Sequence, residues 1–163
     1  MPFEPTAARL WKRLDRAARE RAAQAFWERP PEPAAAAAAR AVVELLRMRP
    51  QAFARLAPEA RVRALARLAQ PPESVADALL VALHLNERRE LLAAFLDALA
   101  VPHEDGLIAE DVEIQPVDAA RGRAALAALR AAHQPEAIRL YWNALWLQDR
   151  ERWAGLAEIA DEI

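Results

Sequence analysis

The chain has 163 residues, a formal net charge of −2 and no cysteine. That length suits one domain with a real core. The missing thiols exclude a disulfide framework, thiolate zinc sites and cysteine nucleophiles, and make a reducing, cytoplasmic setting the simplest expectation.

Of the residues, 55% are apolar, but many of them are alanine, which favours helix and buries little area. The core must therefore come from Leu, Val, Ile and the aromatic rings. The charge is split along the chain: residues 1–70 hold 14 Arg and Lys against 7 acids (+7), and residues 71–163 hold 8 against 17 (−9). Such asymmetry reads either as Arg on early helices pairing with acids on later ones, or as a surface for an oppositely charged partner, including head-to-tail self-association.

The first helix is expected over residues 7–27, with Thr6 as N-cap and Pro30, Pro31 and Pro33 as the stop. Leu10, Trp11, Leu14, Ala18, Ala22 and Phe26 form its apolar line, and Arg9, Lys12, Arg13, Arg16 and Arg19 its basic face. Residues 1–29 thus read as a basic N-terminal helix on a proline-rich hinge at 30–33, within one helical domain spanning 1–163. Helix resumes over 34–47 with Val42, Val43, Leu45 and Leu46 as buriable side chains. A short turn of helix follows over 51–56, then a helix over 58–69 with proline at its first position and Leu65 and Leu68 inward.

Ser74 stands three residues before Asp77, like a capping box opening a helix over 75–85, and Asn86 can cap a helix over 87–101. Leu91, Leu92, Phe95, Leu96 and Leu99 give that helix the strongest apolar stripe in the chain. Residues 102–117 break the pattern with an acidic connection, which Leu107 and Ile108 are expected to pin to the core. Helices are then expected over 118–132, over 135–147 after Gln134, and over 149–160 with Asp149 as cap. The longest apolar run, 75–85, is interrupted by Asp77 and His84, and no basic stretch leads into an apolar one at the start, so neither a membrane span nor a signal peptide is expected.

The expected fold is all-α: about seven helices packed as antiparallel hairpins, in an α-solenoid-like array or an irregular bundle. A weak repeat favours the array, since Leu65, Leu68 and Pro71 map onto Leu96, Leu99 and Pro102 with a shift of 31.

Chemistry has few places to reside. Nucleophilic catalysis would rest on Ser74, Thr6 or Lys12, the sole representatives of their types; the first two read as caps and the third as part of an exposed face. His84, His103 and His133 have no metal-motif spacing, and two of them suit helix C-termini. The acidic run from Glu104 to Glu113 lacks the alternation of a calcium loop. Neither cofactor nor metal is expected.

Trp142 and Trp146, one turn apart, read as core anchors or, with the basic face, as an interaction surface. The leading expectation is a non-enzymatic module that binds another protein or itself, through Arg9, Lys12, Arg13, Arg16 and Arg19 with Trp142 and Trp146. Two alternatives stand beside it. One is a small metal-dependent or hydrolytic enzyme in which His103, Glu104 and Asp105 converge with His84 or His133; the other is a nucleic-acid-associated helical-repeat protein using the basic helix.

Overall fold

A computed structural model describes residues 5–163. Nine α-helices and two short 3-10 helices form its regular structure, with no strand among the described residues, so the chain is all-α. No described helix is long and apolar enough to cross a membrane. The fold divides into two compact units, Met1–Glu87 and Arg88–Ile163.

The first unit holds α1 (Ala7–Arg13), α2 (Arg16–Glu28), α3 (Ala34–Leu46), a 3-10 helix (Pro50–Arg55), α4 (Pro58–Arg67) and α5 (Glu73–Glu87). The single helix expected over 7–27 is in fact two. Leu14 is extended, and the Asp15 carboxylate accepts the Ala18 N–H at 2.7 Å, so a new N-cap opens α2. Arg19 completes the break by donating to the carbonyls of Trp11 and Lys12 at 3.2 and 2.7 Å, in the last turn of α1, where carbonyls run out of helical donors; the Trp11 carbonyl also accepts the Leu14 N–H at 3.1 Å. Thr6 caps α1 as expected, at 3.2 Å from the Arg9 nitrogen.

The inward residues of α2 are Ala18, Ala22, Ala23 and Phe26, and this mostly small face lets α4 and α5 both pack closely on it. Trp11 is fully buried, with Nε1 donating to the Leu68 carbonyl at 2.8 Å. The N-terminal segment therefore belongs to the body of its own unit, α1 against α5 and α2 against α4 and α5. These pairings join helices that are not neighbours in sequence.

Two expected caps are corrected. Helix α5 already begins at Glu73, which places Ser74 inside it, and the Glu73 carboxylate accepts the free N–H groups of Ala7 and Ala8 at the start of α1. Asn86 lies within α5 and donates back to the Ala82 carbonyl at 2.7 Å, while Arg88 precedes the next helix with no side-chain cap bond.

Asp77, half-buried on α5, has its carboxyl raised above the ordinary aspartate value, first by burial and second by Glu73 one turn back. A raised native value means that the fold holds this proton more tightly than the unfolded chain, so ionisation opposes folding as pH rises. Asp77→Asn is expected to be more stable than the parent at pH 7, with the difference vanishing below the ordinary carboxylate range. Urea midpoints at pH 7 and about pH 3 check this; an Asn variant weaker than the parent at pH 7 contradicts it.

The second unit comprises α6 (Arg89–Ala98), a connection through 99–118, α7 (Ala119–Arg130), α8 (Pro135–Gln148), α9 (Ala154–Glu158) and a 3-10 helix (Ala160–Glu162). Helix α7 is central and touches α6, α8 and α9. The ring of Phe95 meets Tyr141 at 5.3 Å and both Trp142 and Trp153 at 5.6 Å, in edge-on or tilted geometries that suit aromatic quadrupoles. Burial pushes the Tyr141 phenol far above its ordinary value.

The helix expected over 149–160 shrinks to α9. Asp149 accepts the Arg152 N–H at 2.9 Å but opens only a turn, and the residue that precedes α9 is Trp153, with no side-chain cap bond. Gly155 then donates to the Val117 carbonyl at 3.1 Å, tying α9 to the connection before α7.

Candidate interaction surfaces

The expected basic face does not survive as one stripe. Arg9, Lys12 and Arg13 are exposed on α1, whereas Arg16 opens α2 and pairs with Glu20 at 2.8 Å. Arg19 is engaged in closing α1 and lies over the Trp11 ring at 5.7 Å, so it serves the fold.

The two tryptophans separate as well. Trp142 is 2% exposed and its Nε1 donates to the Leu156 carbonyl at 3.0 Å, which removes it from any surface. Trp146 is half-buried, with the Arg150 guanidinium 4.5 Å from its ring centroid.

Alongside α2, where α4 begins, runs an open groove of about 630 Å³ whose lining includes Arg16, Arg21, Glu28, Trp27, Val62 and Arg63. Its wall carries both signs of charge, and Arg21 is paired with Glu87 at 3.1 Å. The indole Nε1 of Trp27 is buried without a hydrogen-bond acceptor among the described residues.

The acidic connection is ordered by local bonds. Glu104 and Leu107 exchange backbone hydrogen bonds at 2.8 and 2.9 Å around a turn in which Asp105 and Gly106 both have positive φ. A Cβ on Gly106 would lie 2.9 Å from the Arg89 carbonyl oxygen, so both the turn and the close approach require glycine.

His103 locks this turn. Its Nδ1 accepts the Gly106 N–H at 3.1 Å, which leaves Nε2 of the neutral ring to donate to Asp97 at 3.0 Å. Asp105 faces Arg89 at 3.1 Å. His103 and Asp105 are thus each turned toward a separate partner, while Glu104 takes part through its backbone.

His84 is buried in α5 with Nδ1 2.8 Å from the Leu80 carbonyl, and His133 sits just past the end of α7, its N–H bonded to Leu129. No group of three or more His, Asp or Glu residues is placed to hold a metal ion among the described residues.

What the sequence reading missed are two aliphatic pairs. Leu107 and Ile108, expected to be pinned in the core, are 40% and 38% exposed, because Ile114 and Val117 anchor the connection in their place. Leu45 and Leu46, expected to face inward, are 38% and 36% exposed in the last turn of α3. Ala34, Ala38 and Val42, spaced four apart, already complete the buried stripe of that helix, and this spacing is the signal that could have revealed it.

These four are the large apolar side chains left exposed among the described residues. Leu107 and Ile108, with Pro102, His103 and Val112, line a shallow recess of about 340 Å³. Fold and surface define an all-α chain of two helical units with paired aliphatic residues on each. No family model, no curated protein and no solved structure matches it.

Proposed function

We propose that the chain is a non-enzymatic protein-interaction module of the cytoplasm, working through the exposed aliphatic pairs of its two helical units. The observation that carries this reading is the placement of the exposed aliphatic residues. They stand in adjacent pairs, Leu45 with Leu46 and Leu107 with Ile108, on ordered elements. Apolar side chains grouped on ordered backbone bind partners at small entropic cost, since little conformational freedom is left to lose. The cysteine-free composition supports the reducing compartment.

The experiment is affinity capture of the intact protein from its own cell lysate, run in parallel with Leu46→Glu and Leu107→Glu. A protein, including a further copy of this chain, retained by the parent and lost with one or both variants is the expected result. Capture of nothing, or of partners that both variants retain equally, overturns the reading.

A further inference from the structure

The partner class can be narrowed, on the reading just given. The unit that bears Leu45 and Leu46 holds 14 basic residues against 10 acids, a balance of +4; the unit that bears Leu107 and Ile108 holds 8 against 14, a balance of −6. The contrast sharpens near the aliphatic pairs. Arg40, Arg47 and Arg49 neighbour the first pair in sequence, with Glu44 the lone acid among them. Residues 90–120 contain no Lys or Arg, and Glu104, Glu110, Asp111 and Glu113 flank the second pair.

None of these three arginines and four acids forms an ion pair among the described residues; Asp105, bonded to Arg89, is the acid of the turn already satisfied. The first pair is partly exposed in the last turn of a helix that Arg47 ends in a left-handed conformation, and the second lines a recess.

We infer that the recess at Leu107 and Ile108 receives the α3 end, Leu45 and Leu46, of a second copy of this chain, with Arg47 and Arg49 set against Glu110 and Asp111. Such a contact is heterologous, because one patch meets a different patch, so each junction joins the first unit of one copy to the second unit of another. Apolar contact supplies attraction, and the opposite charges steer encounter and set which end meets which. The patches are small beside the roughly 1,200 Å² that a stable complex buries, so association is weak, reversible and sensitive to salt.

Sedimentation velocity over a concentration series tests this, with charge reversal as the discriminating device. At low salt the parent's mean sedimentation coefficient is expected to rise with concentration, and the rise to disappear at about 0.5 M salt, where the screening length falls to a few ångströms. The double variant Arg47→Glu with Arg49→Glu has two acidic ends, and Glu110→Arg with Asp111→Arg has two basic ends. Each alone is expected to sediment as a monomer at every concentration, whereas an equimolar mixture regains the parent's association because every junction again joins opposite charges.

A parent that stays monomeric at low salt, variants that associate like the parent, or a mixture that stays monomeric each overturns the inference. A monomeric parent that still captures a partner lost in Leu46→Glu or Leu107→Glu leaves the interaction-module reading standing without this one. All these substitutions lie at exposed positions, and unchanged circular dichroism shows that the fold is retained.

Discussion

Replacing Gly155 by alanine is expected to destabilise the second unit by about 3 kcal/mol or more, because the added methyl group has no space and meets backbone. A Cβ at this position would lie 2.3 Å from the Asp118 carbonyl carbon, 2.4 Å from the Val117 oxygen and 2.6 Å from the Ala119 nitrogen. These atoms cannot step aside as a side chain could. They open α7, whose Asp118 carboxylate accepts the Arg121 N–H at 2.8 Å, and Val117 is bonded to Arg152 as well as to Gly155, at 2.8 and 3.1 Å. Relief of the clash would therefore part α9 from α7 and expose Leu156 and Ile159, both fully buried.

Gly122 provides the contrast. A Cβ there meets the side-chain tips of Ile159 and Leu156, at 3.0 and 3.3 Å, and the nearest backbone atom, the Gly155 oxygen, at an ordinary 3.8 Å, while alanine is worth up to about 1 kcal/mol over glycine within a helix. Gly122→Ala is expected to change stability little, and Gly155→Ala severely, in denaturant titrations followed by circular dichroism. Equal stability of Gly155→Ala and the parent would show that the close approach is absent.

The second large effect is expected at Phe95. Its ring is completely buried and touches three others, those of Tyr141, Trp142 and Trp153. Truncation to alanine removes transfer free energy and leaves a cavity walled by side chains too large to collapse into it, for a loss of about 3–5 kcal/mol. The near-ultraviolet circular dichroism of the neighbouring indoles should fall with it, since their asymmetric surroundings come largely from this ring. A loss below about 1 kcal/mol would mean that the aromatic cluster repacks around the gap.

The reading of individual positions from sequence succeeded where one helix contains the whole reason. The stripe Leu91, Leu92, Phe95 and Leu96 faces the core as its spacing requires, and Thr6 acts as a cap because the amide it binds lies three residues away in the chain. It failed where the partner is distant. Glu73 was not a capping candidate because the amides it accepts, those of Ala7 and Ala8, belong to another helix. Arg19 reads from its spacing as part of a basic face, although its acceptors lie across a break that Leu14 does not announce. For the interaction surface the same limit applied: the sequence offered Trp142, which the second unit buries, and set Leu45, Leu46, Leu107 and Ile108 aside as core.

Sequence alone determined the helical class, the proline-marked ends, the absence of thiol chemistry and the opposite charge of the chain's two parts, because each follows from composition or from spacing within a turn or two. Tertiary structure decided which of several equally apolar faces is covered. An alanine stripe can satisfy a helix's neighbours as fully as a leucine stripe when the helices pack closely, and what remains outside is then set by the shape of the bundle rather than by hydropathy.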